Sequence, residues 1–114
     1  MNTVKIAGVE YPIRFGLNAV RKFCIAKKIE FHQYQDILTK MDFQKLTIEN
    51  MDSLCLLIQC GIYDGIRKEK TGQTPPDLED IIEVFESIDE TQRVFSMFTE
   101  AQPDAAEKEE PEKN

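Results

Sequence analysis

The sequence has no tryptophan, one histidine and three cysteines, and its 14 basic residues are outnumbered by 21 acidic ones. Each shortage excludes something. A single histidine, His32, leaves general acid–base catalysis without its commonest group, and its neighbour Phe31 and loop setting read as a surface or half-buried position. An odd number of cysteines with no secretory signal reads as free thiols in a reducing compartment. Met1 to Ile6 contains no apolar run of signal-peptide length. The longest apolar stretch, Leu54 to Ile58, is far short of the ~20 residues that span a bilayer. The chain is therefore expected to be soluble and cytoplasmic, with no membrane partner. A net charge of −7 gives the overall field the wrong sign for phosphate, so no nucleic-acid partner is expected. The local cluster Arg21, Lys22, Lys27 and Lys28 reads as the solvated face of a helix.

What is present suits one small domain: 114 residues, 41% apolar and 31% charged. The expected fold class is α+β, mainly α, with an N-terminal β-hairpin packed on a bundle of four to five helices. Residues 1–102 form the expected globular domain, and 103–114 a disordered acidic tail with five acids, two lysines and two prolines. The hairpin spans 3–15. Val4 and Ile6 alternate with polar residues, Ala7-Gly8 makes the turn, and Val9, Tyr11, Ile13 and Phe15 resume a period of two. Pro12 lacks an N–H and is expected to face outward on an edge. The apolar face of so small a sheet must lie on helices.

Helices are expected at about 18–28, 33–41, 47–70, 77–87 and 90–101. Asn18 reads as the N-cap of the first, whose apolar positions are Ala19, Val20, Phe23, Cys24 and Ala26. Thr47 reads as the N-cap of the third, in which Ile48, Met51, Leu54, Cys55, Ile58, Ile62 and Ile66 repeat at helical spacing, which makes it the central core helix. Gly61 and Gly65 lie one turn apart on it and leave a groove that another backbone can approach. Asp77 reads as the next N-cap, with Leu78, Ile81, Ile82 and Phe85 on one face. The last helix carries Val94, Phe95, Met97 and Phe98.

Catalytic, metal and cofactor sites find no candidate residues. There is no nucleophile elbow, phosphate loop or dinucleotide fingerprint. Cys55 and Cys60 are five apart on one helix, about 140° around its axis, whereas ligands on one face sit three or four apart. The acids Asp42, Asp52 and Asp64 fall at ordinary helical or capping positions.

The run Val4-Lys5-Ile6-Ala7-Gly8-Val9-Glu10-Tyr11-Pro12-Ile13-Arg14-Phe15-Gly16-Leu17-Asn18-Ala19-Val20-Arg21-Lys22-Phe23 resembles the opening of the phage tail assembly chaperones, small proteins encoded just ahead of the tape measure protein. Cys60-Gly61-Ile62-Tyr63-Asp64-Gly65 is similar to that family's Gly-x-x-x-Gly segment, and Asp77-Leu78-Glu79-Asp80-Ile81 to the start of its following helix. The resemblance implies a non-enzymatic chaperone that coats apolar helical stretches of the tape measure protein until tail tube subunits replace it. The partner is then another protein, with Phe95, Met97, Phe98, Gly61 and Gly65 as candidate contacts and self-association compatible with the role. Competing expectations are a structural or adaptor subunit of a head–tail connector and a small regulator.

Overall fold

A computed structural model describes residues 2–42 and 44–100, with side chains as far as Met97. The expected acidic tail, 103–114, lies outside the described residues, as does the Phe98 side chain.

The architecture is α+β and mainly α: an antiparallel hairpin followed by five α-helices. Strands β1 (Thr3–Ile6) and β2 (Val9–Pro12) pair with Ile6 opposite Val9, Val4 opposite Tyr11 and Thr3 opposite Pro12. Both turn residues have positive φ, Ala7 at 52° and Gly8 at 81°, as the tight turns that match strand twist require. The alternation works as expected at Val4 and Ile6, which are buried, while Lys5 points out.

Pro12 departs from the sequence expectation, because it is buried rather than facing outward. Its missing N–H costs nothing there: the next bond of the ladder runs from the Ile13 N–H to the Asn2 carbonyl at 2.9 Å. The chain then leaves the sheet, and Arg14 N–H donates to the Gly61 carbonyl at 3.0 Å.

Helix α1 (Leu17–Lys27) starts from Gly16 rather than Asn18, with no side-chain cap. The reason is steric. A Cβ at Gly16 would run into the Arg14 guanidinium and come within 2.9 Å of the Asp64 carboxylate, so the chain enters the helix at the residue that has none. Ala19, Val20, Phe23 and Cys24 are buried, whereas Ala26 is exposed. At its end Lys28 takes the left-handed conformation (φ 58°), and the Ile29 N–H reaches back to the Cys24 carbonyl.

Helix α2 (Phe31–Lys40) begins two residues before its expected start. Glu30 and Gln33 form a reciprocal capping box, each side chain accepting from the other's backbone N–H. His32 consequently sits, exposed, in the first helical turn and not in a loop. The element is anchored by Tyr34, which is buried edge-to-face on Phe23 with centroids 5.7 Å apart.

Helix α3 (Ile48–Glu69) is the longest element and passes through the core. The Thr47 hydroxyl accepts from the Asn50 N–H at 3.0 Å, as a helix N-cap should. Leu54, Cys55, Leu57, Ile58, Ile62 and Ile66 are buried against the hairpin, α1 and the later helices. The expected helix over 77–87 divides into α4 (Leu78–Ile82), capped by Asp77, and a 3-10 turn over Glu83–Glu86. Helix α5 (Ile88–Glu100) follows, with the Ser87 hydroxyl accepting from the Glu90 N–H. Among the described residues, no helix is long and apolar enough to cross a membrane.

Candidate docking groove

The residues expected to meet a partner are mostly occupied by the protein itself. Gly61 and Gly65 are buried, and the backbone that approaches them is the exit of the chain's own hairpin. A Cβ at Gly65 would press on the Pro12 carbonyl, and one at Gly61 would meet the Phe15 ring at 2.7 Å. Met97 is 7% exposed and belongs to the core, so it is not a surface contact. Phe95 is half-buried, its ring 6.1 Å from that of Phe85 and beside a small apolar crevice formed with Phe15, Leu54, Leu57 and Ile58. Phe98 falls outside the described side chains.

A different surface remains open. On α1 the positions 17, 21 and 25 succeed one another at a spacing of four, which places them on one face. That face is solvent-exposed and mixed: Leu17 is 69% exposed, Ile25 is 59% exposed, and Arg21 lies between them. Across from it, Tyr63 and Arg67 lie four apart on α3. The two helices frame a groove of about 230 Å³ lined by Asn18, Arg21, Lys22, Ile25, Tyr63 and Arg67. The Lys22 ammonium stands 4.3 Å from the centre of the Tyr63 ring, a cation–π contact that fixes one wall to the other.

Next to Arg67 is an ion pair that the spacing argument treats as ordinary. Asp64 has no exposure at all, and its carboxylate accepts from Arg14 at 3.0 Å across fifty residues of sequence. Its other oxygen faces Arg67 at 3.7 Å without a hydrogen bond. Thus the hairpin exit, the start of α1 and the end of α3 are tied together at one buried charge. The sequence marks Asp64 only as a helical acid with Arg67 and Lys68 one turn on, and nothing local to it points to Arg14. Leu17 and Ile25 were legible as apolar residues at helical spacing, but the cations between them disguise the face as purely solvated.

The thiols are unsuited to chemistry. Cys24, Cys55 and Cys60 are all buried and unpaired. Burial pushes the Cys55 thiol up to about 11, with Asp52 adding to the rise. Burial likewise pushes Cys60 up to about 11, opposed by the Lys22 ammonium and reinforced by Cys24. Such thiols are protonated near neutral pH and poor as nucleophiles or metal ligands. Among the described residues no three His, Cys, Asp or Glu side chains come together in a way that would hold a metal ion. What the groove offers is hydrogen-bond donors and positive charge beside apolar carbon. Neither a family model, nor a curated protein, nor a solved structure matches the chain.

Proposed function

We propose that this protein is a non-enzymatic binding protein of the phage tail assembly chaperone kind, which holds helical segments of a tape measure protein through the α1–α3 groove. The observation that carries the reading is the pair Leu17 and Ile25, two large aliphatic side chains left in water two turns apart on one face of α1, of which Ile25 lines the groove with Tyr63. Leu17 and Ile25 give α1 two exposed apolar anchors on one face, on which an amphipathic client helix can bury its own apolar stripe. The cations beside them supply orientation to a client that carries acids next to its apolar stripe. The resemblance of residues 4–23, 60–65 and 77–81 to that family supplies the client's identity. The same chain remaining in the assembled particle as a connector subunit is the competing reading.

Co-expression with the neighbouring tape-measure-type protein tests it. The client should stay soluble with the native chain and precipitate with the variant Leu17→Asp/Ile25→Asp, whose own unfolding curve should be unchanged because both side chains already face water. Purified particles should then lack the protein. Its presence there in fixed copy number would overturn the chaperone reading in favour of the connector.

A further inference from the structure

We propose that a second groove, where the ends of three helices meet, binds a small aliphatic molecule carrying an α-carboxylate and an α-nitrogen. Its volume is about 260 Å³. The last turns of α1 and α2 bring Lys27, Ile37 and Lys40 to it, with Met41 just beyond α2. The first two turns of α3 bring Glu49, Asn50 and Ser53. Ser53 and Tyr63 are ten residues apart along α3, about 15 Å at the helical rise, so this groove is separate from the one between α1 and α3. The inference therefore does not rest on the client reading.

Ser53 carries it. The residue is 5% exposed, and its hydroxyl has no hydrogen-bond partner among the described residues. A helical hydroxyl often turns back to the carbonyl four residues earlier, as Thr39 does to Gln35 at 2.8 Å, but Ser53 does not. A buried hydroxyl without a partner is costly, and this one lines an open groove where a ligand can supply the bond.

The charges beside it are also unpaired. Among the described residues, Lys27, Lys40 and Glu49 form no ion pair, although both signs line the same groove. Each suits the helix end on which it sits, the lysines at C-termini and Glu49 in a first turn, yet none has a side-chain partner. The groups together define the ligand. Two ammonium groups and a hydroxyl donate to a carboxylate, and Glu49 accepts from an N–H on the neighbouring carbon. Ile37 and Met41 offer apolar carbon to an aliphatic side chain. Phosphate would use the lysines but would leave Glu49 as a repelling charge and the apolar wall uncovered. A simple amine would meet two like charges. An amino acid of leucine or methionine size answers every group. The same chemistry occurs at the C-terminus of a peptide, where the N–H belongs to an amide.

Titration of the ¹⁵N-labelled full-length protein with L-leucine, N-acetyl-L-leucine, L-leucinamide and inorganic phosphate tests this. L-Leucine should shift the amide signals of residues 37–41 and 49–53 saturably, with a dissociation constant on the order of 1 mM, a range open to a ligand of about nine heavy atoms. L-Leucinamide, which lacks the carboxylate, and phosphate, which lacks the nitrogen and the aliphatic group, should bind roughly tenfold more weakly or less. N-Acetyl-L-leucine separates the two sources: binding as tight as leucine's assigns the groove to a peptide C-terminus, and weaker binding to the free amino acid. Ser53→Ala should weaken leucine binding about tenfold without lowering the urea midpoint, since the hydroxyl bonds to nothing in the protein. Lys27→Gln/Lys40→Gln should abolish the shifts, whereas Lys5→Gln/Lys68→Gln, outside the groove, should leave them unchanged. Absent or unsaturable shifts, or equal binding of leucine and leucinamide, would overturn the proposal and leave the groove to water. A Ser53→Ala variant that is less stable but binds leucine as before would assign the hydroxyl to the fold and overturn it equally.

Discussion

Asp64 shows how a single charge can organise several elements. A carboxylate fully removed from water is tolerated only where a cation answers it, and Arg14 does so at 3.0 Å while remaining 39% exposed. The two partners are therefore unequal. Arg14→Ala strands a buried charge and should cost roughly 2 to 4 kcal/mol in urea unfolding, reduced from the fully buried case because solvent already reaches the guanidinium. Asp64→Asn leaves Arg14 able to turn to water and should cost less. Equal losses for the two variants would contradict this account. Gly65 makes a second residue-scale case. Alanine in a helix interior ordinarily gains about 1 kcal/mol over glycine. Here its Cβ would collide with the Pro12 backbone, which cannot rotate aside, so Gly65→Ala should lower stability by about 1 to 3 kcal/mol.

Most elements are held by local devices that substitution can weigh one at a time. The Thr47 and Asp77 caps each satisfy one otherwise orphaned N–H at the start of a helix. Thr47→Ala should cost about 1 kcal/mol, read as a lower thermal midpoint, and Asp77→Ala a similar amount. The hairpin offers a gain instead. Ala7 holds φ 52°, a conformation that costs a residue with a Cβ about 1 to 2 kcal/mol. Ala7→Asn gives the Asn-Gly pair that suits this turn, and should raise the thermal midpoint. The element whose limits are hardest to read from sequence is α2. Its N-cap is Glu30, a residue type not usually sought there, and the box closes only because Gln33 reaches back to the Glu30 N–H. The break of 77–87 into α4 and a 3-10 turn is equally invisible to periodicity, since both keep Ile81 and Val84 inward.

Across the whole molecule, charge is segregated along the chain. Residues 15–28 hold four cations and no acid, whereas residues 77–90 hold seven acids and no cation. That asymmetry places the cationic groove on a protein whose field is otherwise negative, and it favours partners that approach by their acids. The buried thiols give the molecule a distinct alkaline limit. Cys24, Cys55 and Cys60 are all held above their ordinary value, first of all by burial, so the folded state keeps protons that the unfolded chain releases. Their contribution is complete below about pH 9 and is lost as pH rises towards about 11. Urea midpoints should accordingly fall over that window, and replacing Cys55 and Cys60 by alanine should flatten the fall while lowering stability at neutral pH. At pH 7.5, thiol reagents should label the native protein only as fast as it opens.

By itself the sequence determined the order of the elements, the hairpin turn at Ala7-Gly8, the central place of α3 and the caps Thr47 and Asp77. Those features depend on periodicity and on hydrogen bonds within four residues, both written locally in the chain. Tertiary structure alone decided which sides of those elements stay open. Gly61 and Gly65 receive the protein's own hairpin exit, Pro12 turns inward to meet the notch, and Met97 closes the core. Asp64 becomes a buried ion because Arg14 arrives from fifty residues away. Whether an apolar side chain is core or surface depends on what packs across from it. On α1 nothing covers Leu17 and Ile25 among the described residues, and the groove beside them exists only because α3 runs alongside.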